Sequence, residues 1–151
     1  NMDVASFAIV ANNITQDFNV PDTIINKYNI QAHHDEDSTT CKLTGLIANY
    51  NSDVAEIMGI LAALEIFIYL VKETNQKIVF YTDSLVAKKV LSDKRMPPKS
   101  KKYTNLRKSF LRLASLYALP VSIKKVAAHE GIELNELADK LAKKRLDFSN
   151  S

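Results

Sequence analysis

Residues 126–139 of the chain read VAAHEGIELNELAD. The apolar start of this stretch is typical of a strand that ends at His129, and a loop and a helix follow it. Asn135 and Asp139 are four residues apart on that helix, so their side chains lie about 6 Å from each other on one face. A strand end and a helix start that share an imidazole, an amide and a carboxylate predict a functional site. The rest of the chain must supply its partners.

The composition is that of one globular domain. The chain has 151 residues, 46% hydrophobic and 25% charged, which is enough to bury a core. One domain over residues 1–151 is expected, with a frayed tail after about residue 146. The single cysteine, Cys41, excludes an internal disulfide and predicts an intracellular location, cytoplasmic or nuclear. Residues 57–71 are apolar but interrupted by Glu65 and too short to span a bilayer, so no membrane partner is expected.

Charge is unevenly distributed along the chain. Residues 1–76 hold 3 Lys and Arg against 10 Asp and Glu, whereas residues 77–151 hold 17 against 7. Such segregation favours a basic face for a polyanion, with nucleic acid the usual candidate. A solvated basic surface is the plain alternative.

Hydrophobic patterning predicts the order of elements. The predicted strands cover residues 4–11, 23–32, 42–50, 77–82 and 121–127. The predicted helices cover residues 53–73, 85–91, 101–118 and 132–145, and residues 51–53 offer N-cap chemistry to the first of them. Three consecutive strands indicate an antiparallel meander, and the strand–helix–strand units after them indicate parallel additions.

Two acids occur where a carboxylate is otherwise costly. Glu56 follows the start of the long helix among apolar residues, and its simplest interpretation is a favourable charge in the first turn. Asp83 closes an apolar strand, where functional groups gather in sheets with helical crossovers. Its plain alternative is an N-cap for the helix that follows.

These features together resemble the type 1 ribonuclease H family. The matching motifs are AEIM at residues 55–58, YTDS at residues 81–84, and His129 followed by Asn135 and Asp139. The order of elements is similar too, so the resemblance covers nearly the whole chain. It implies an α/β, ribonuclease H-like fold with a five-stranded mixed sheet, made of three antiparallel strands and two parallel additions, and helices on both faces.

The resemblance implies an endonuclease that cleaves the RNA strand of RNA–DNA hybrids with two Mg²⁺ ions, for which Mn²⁺ substitutes. A hybrid partner, a monomer and no small-molecule cofactor are expected. Glu56 and Asp83 would hold metal, and Asp139 would complete the shell of the second ion. His129 would help proton transfer or product release. The residues expected at the nucleic-acid backbone are Asn135, Ser84 and Asn13.

The first strand departs from the family pattern. In the family this strand ends in an Asp that bridges both metal ions, whereas here it ends in Asn12. Asn has the shape of Asp without its charge, so at this catalytic and metal position it is expected to abolish most cleavage.

Three explanations of Asn12 stay open. It is a deliberate inactivating substitution of the kind used to hold a substrate uncleaved, or it is natural and the domain binds without cutting. In the third, Asp3 supplies the acid, which requires the central strand to lie earlier in the chain. Asp17 is a weaker candidate because it falls in a predicted loop.

A basic segment surrounds the Pro-Pro loop at residues 97–98 and the start of the predicted helix over residues 101–118. Its members are Lys94, Arg95, Lys99, Lys101, Lys102, Arg107 and Lys108, with Tyr103 among them. The segment resembles the basic protrusion with which some family members hold the DNA strand, mainly through phosphates. A solvated helix face is the alternative.

Two functions from different classes remain. The first is a hybrid endonuclease of this family. The second is a non-catalytic nucleic-acid-binding domain of a larger protein such as a reverse transcriptase. A transposase or integrase core fits less well, because those resemble this chain in fold but lack the Glu on the first long helix and the histidine loop.

Overall fold

The computed structural model describes residues 4–12, 19–33, 40–48, 51–74, 77–92, 100–116, 121–126 and 133–150. The strands are β1 (Val4–Asn12), β2 (Gln31–Ala32), β3 (Thr40–Ala48), β4 (Ile78–Thr82) and β5 (Val121–Lys125). The helices are α1 (Asp22–Tyr28), α2 (Ser52–Thr74), α3 (Leu85–Ser92), α4 (Lys101–Leu116) and α5 (Glu133–Asn150). Within these ranges no helix combines the length and apolar character that a membrane crossing requires.

The described strands form two sheets. β1 and β3 are antiparallel, with Asn12 opposite Thr40, and β2 is antiparallel to β3. β4 and β5 are parallel, with Thr82 opposite Lys125. The antiparallel and parallel relations are as predicted. The single five-stranded sheet is not confirmed, because the described strands divide into sheets of three and two.

The strand order β1-β3-β2 also differs from a meander, which would place β2 in the middle. The reason lies in the segment after Pro21. The sequence predicts a strand over residues 23–32, but most of this segment is α1, and only two residues remain for β2. The carbonyl oxygen of Pro21 accepts two helix N–H groups at 3.0 Å, and Asn29 ends the helix in the left-handed conformation with φ 52°.

A tertiary contact stabilises α1 against its β-branched sequence. The hydroxyl of Tyr28, a fully buried residue, donates to Glu65 Oε2 on α2 at 2.5 Å, and Lys27 Nζ donates to Glu65 Oε1 at 3.0 Å. Burial first, and then the bond to Glu65 and its charge, raise the pKa of Tyr28. Glu65, the polar residue within the apolar pattern of α2, therefore holds α1 in place. This tertiary contact outweighs the local strand propensity of the α1 residues.

The three-stranded sheet is covered on both faces, as predicted. On one face the ring of Phe7 lies against its cross-strand partner Gly45, and a Cβ on Gly45 would collide with that ring. The Cβ of Phe7 also lies close to Gly59 of α2, where an added Cβ would be only 3.0 Å away from it. These two glycines let α2 pack closely on β1. On the other face Ser6 Oγ donates to the Ala142 carbonyl oxygen at 2.5 Å, which fixes α5 on β1.

A second apolar cluster lies between α2, α3 and α4. It contains Ile57, Leu64, Val90 and Phe110, all buried. The first cluster lies under the three-stranded sheet and contains Phe7. Phe80 of β4 packs against both clusters, and its ring meets that of Phe110 edge to face at 6.5 Å. α2 thus lies between the two clusters and joins the two sheets.

Candidate active site

Glu56 lies one turn into α2, beyond the positions that serve the helix terminus. Asn51 Oδ1 caps the helix by accepting the Val54 N–H at 2.9 Å, as the sequence predicted for residues 51–53. The acid of the first turn is Asp53. The helix-dipole interpretation of Glu56 is therefore wrong, and another cause must explain a half-buried carboxylate there.

Asp83 directly follows the last residue of β4. The helix after it, α3, is capped by Ser84, whose Oγ accepts the Ala87 N–H at 3.0 Å. The alternative that made Asp83 the cap is therefore wrong. The cap occupies one acceptor position of the Ser84 hydroxyl. The contact of Ser84 with nucleic acid stays a prediction.

Asp139 comes from α5, the third element at the site. Burial raises the pKa of Glu56, the hydrogen bond from Thr82 opposes this, and the negative charges of Asp83, Asp139 and Asp53 raise the pKa further. Three predicted acids, distant in sequence, therefore share one electrostatic environment. The sequence did not identify Asp53 as a fourth charge in it.

Thr82 is a second residue beside Glu56 that sequence patterns did not identify. It is 0% exposed, and its hydroxyl donates to Glu56 Oε1 at 2.7 Å. Its Oγ1 also accepts the Ser84 N–H at 3.1 Å. The available signal was strand alternation, since Ile78, Phe80 and Thr82 share one side of β4 and the first two pack into the core.

The donor set fits a divalent cation in kind. Carboxylates are the ligands that Mg²⁺ prefers, and a cation would offset the repulsion that raises the pKa of Glu56. Within the described part of the chain, however, no three His, Cys, Asp or Glu side chains lie close enough together to hold a metal ion. Further ligands would have to come from outside that set.

Several predicted site residues lie wholly or partly outside the described residues. Asn12 is the last residue of β1, as predicted, but its side chain is outside the described set, as is that of Asn135 on α5. The residues that lie fully outside it are Asn13, Lys94, Arg95, Lys99 and His129, together with the alternatives Asp3 and Asp17.

The described basic residues divide into two kinds. Lys101 and Lys102 are exposed at the start of α4, where Ser100 Oγ accepts the Tyr103 N–H at 3.2 Å. Arg107 instead donates to carbonyl oxygens in the last turn of α3, to Lys89 at 3.1 Å and also to Val90. The two lysines are thus exposed, and their role at a basic surface stays a prediction, whereas Arg107 joins α4 to α3.

Comparison with known proteins identifies the family. A search of curated proteins found no match. The family model described as RNase H matches residues 25–147, which include Glu56, Asp83 and Asp139 but not β1 and its Asn12. Because this match covers most of the chain and spans all three acids, the chain belongs to the RNase H family.

Proposed function

We propose that this chain is built to hydrolyse the RNA strand of RNA–DNA hybrids with two divalent cations. The observation that carries the proposal is that Glu56, whose pKa is raised first by burial, also feels the negative charges of Asp83 and Asp139, which raise its pKa further. Repelling carboxylates gathered from α2, the end of β4 and α5 cost folding free energy, which a cation-binding role explains. Membership of the RNase H family supports the substrate.

The acids would divide the work of holding the cations. Glu56 and Asp83 would bind metal, and Asp139 would complete the shell of the second ion. When bound, two Mg²⁺ ions, or Mn²⁺ in their place, activate the attacking water and stabilise the leaving oxygen. His129 assists proton transfer or product release from the segment that follows Val126.

Other residues would hold the hybrid. Asn135, Ser84 and Asn13 would contact its backbone. The basic segment lies along the DNA strand, and its expected contacts are Lys94, Arg95, Lys99, Lys101 and Lys102. Exposure of Lys101 and Lys102 supports this role. Their contacts would be to phosphates and carry little sequence information.

We further propose that β4 lies beside β1 in the family's five-stranded sheet. Supporting this, Phe80 of β4 packs against the same cluster as Phe7 of β1. That arrangement would bring the end of β1, Asn12, toward Asp83.

The second function is binding without cleavage. Asn12 at the end of β1 favours it, because a neutral amide there removes one charge from the proposed metal position. A domain of this kind would hold the hybrid through the same residues and leave it intact.

Cleavage by this chain and by Asn12→Asp separates the two functions. A hybrid with labelled RNA is incubated with Mg²⁺ or Mn²⁺, and a DNA duplex of the same sequence serves as the substrate control. We expect little cleavage by the chain itself and at least about 100-fold more by Asn12→Asp, because the charge at the end of β1 is restored.

Asp83→Asn in the Asn12→Asp background is the site control. Cleavage should collapse while the circular dichroism melt stays cooperative. Hybrid binding without cleavage by either chain supports the binding function. If Asp83→Asn cleaves as fast as its parent, the proposed site is wrong.

A further inference from the structure

We propose that Thr82 is a positioning residue that orients Glu56 and Asp83 together for cation binding, a role that rests on the proposed function. Glu56 lies on α2 and Asp83 follows β4, so a contact between these two elements is needed to keep the two carboxylates in a fixed relation. The hydroxyl of Thr82 contacts the first through a direct bond and the second through the turn that carries it.

The hydrogen-bond roles at Thr82 are fixed by its partners. An amide N–H can only donate and an ionised carboxylate can only accept. The Ser84 N–H therefore donates to Thr82 Oγ1 at 3.1 Å, and the hydroxyl proton goes to Glu56 Oε1 at 2.7 Å. Because Thr82 is 0% exposed, its hydroxyl is out of reach of bulk water.

The bond to Glu56 has a geometric effect on the carboxylate. The terminal torsion of a Glu side chain is broad, so an unsupported carboxylate rotates freely about it. With Oε1 engaged by Thr82, rotation of the carboxylate about this torsion is restricted. Partners of this kind, which orient a ligand from behind, typically contribute about 10- to 100-fold to metal affinity.

The bond to Ser84 ties the same hydroxyl to Asp83. It closes the turn over residues 82–84, and Asp83 lies at its middle. The backbone of Thr82 adds a third connection, because its carbonyl oxygen accepts the Val126 N–H at 2.8 Å. Val126 is the last described residue before the segment with His129. Thr82 therefore links α2, the Asp83 turn and the end of β5.

The test replaces the hydroxyl and the methyl of Thr82 separately. Thr82→Val keeps the shape and loses the hydroxyl, and Thr82→Ser keeps the hydroxyl. Ser100→Ala is the matched control, since Ser100 Oγ also accepts a backbone N–H but on α4, away from the acids. All variants are made in the complete chain and in its Asn12→Asp form. If Thr82→Val does not fold, Thr82→Cys, a weaker donor of similar size, replaces it.

Mn²⁺ affinity by isothermal titration calorimetry is the first readout. We expect Thr82→Val to lose about 10- to 100-fold in affinity, and Thr82→Ser and Ser100→Ala to stay within about threefold of their parent. In the Asn12→Asp form we expect kcat to fall with the affinity while KM for hybrid is unchanged. If Thr82 had only a structural role, its replacement would lower the melting temperature without this difference between kcat and KM.

Each outcome decides one of the two proposals. If Thr82→Val binds Mn²⁺ as its parent does, the positioning role is wrong and the proposed function stands. If Thr82→Ser loses as much affinity as Thr82→Val, the hydroxyl is not the cause and the role is wrong. If neither parent binds Mn²⁺, the metal site of the proposed function fails before any change at Thr82, and the positioning role fails with it.

Discussion

At the scale of the residue, Glu56 makes a contribution to the stability of the metal-free protein that depends on pH. Burial and the neighbouring charges raise its pKa above 4.5, against the bond from Thr82. The folded state therefore keeps this proton to a higher pH than the unfolded state does. The contribution of Glu56 to the free energy of unfolding falls as the pH rises from about 4.5 through the raised folded-state pKa, and it stays lower above that value.

Glu56→Gln should consequently stabilise the metal-free protein at neutral pH and not below pH 4.5. Gln keeps an acceptor for Thr82 and removes the charge. The gain in melting temperature should be roughly 2–4 °C for each kcal/mol recovered. Circular dichroism melts in EDTA across this pH range measure it. Asp147→Asn, at an exposed acid of α5, should show no such trend. A Glu56→Gln protein that is less stable than its parent at neutral pH would contradict the raised pKa.

The turn after β4 shows what residue types alone could and could not predict. Asp83 and Ser84 are both good N-caps, so their order in the sequence could not decide which one caps α3. Only the bond from Ala87 to Ser84 does so. Thr82 was hidden for a similar reason, because a threonine in an apolar strand is unremarkable until its buried side and its partner Glu56 are known.

At the scale of the element, α1 was missed because its evidence is tertiary. Its β-branched residues favour a strand. The helix depends on Tyr28 reaching Glu65, which lies on another element 37 positions away. By contrast α2 carried its own signals, an Asn51 cap and a long helical apolar pattern, and was predicted almost to the residue. α5 runs on to Asn150, past its predicted end at Arg145.

The position of α5 depends on Arg145. Its guanidinium donates to the hydroxyl of Thr44 on β3 and to the carbonyl oxygen of Asn29 after α1, both at 3.0 Å. Thr44 is fully buried, and without Arg145 its hydroxyl keeps only the bond to His33 Nε2 at 2.7 Å. Because α5 also carries Asp139, this pair of bonds holds one wall of the proposed site on the sheet.

Arg145→Ala should therefore loosen α5 selectively. We expect the free energy of unfolding to fall by about 1.5–3 kcal/mol, the range for hydrogen bonds to a charged group. Amide exchange should accelerate in α5 more than in α2. Urea denaturation and hydrogen-exchange mass spectrometry measure the two effects. Lys144→Ala, at the exposed neighbouring position, is the control. Equal exchange in α5 of both variants would show that Arg145 does not hold the helix.

At the scale of the whole molecule, the sequence predicted the alternation of elements better than their assembly. The strands and the long helix α2 were predicted from apolar periodicity, which is a local property of the sequence. The order β1-β3-β2 and the division into two sheets depend on how α1 shortens β2 and on where α2 packs, and periodicity contains neither. The same limit applies to the site, because local patterns located its acids one by one and only the family resemblance predicted that they lie together.

Charge segregation along the chain leads to a prediction about salt. If the basic half contacts the phosphates of a hybrid, the logarithm of the binding constant should fall linearly with the logarithm of the salt concentration. Lys101→Ala with Lys102→Ala should weaken binding and reduce the slope by about 0.7–0.9 for each phosphate that is no longer neutralised. Fluorescence anisotropy with a labelled hybrid in EDTA measures this without cleavage.

Lys77 provides the matched control for these lysines. It is also exposed, but it precedes β4 and so lies at the opposite end of the strand from Asp83. Lys77→Ala removes the same kind of charge from the molecule, so a slope that depended on net charge alone would change in both cases. A smaller slope only in the α4 variant would assign the phosphate contacts to that helix. Equal slopes in all three proteins would show that α4 does not bind the hybrid, and that its lysines form a solvated surface.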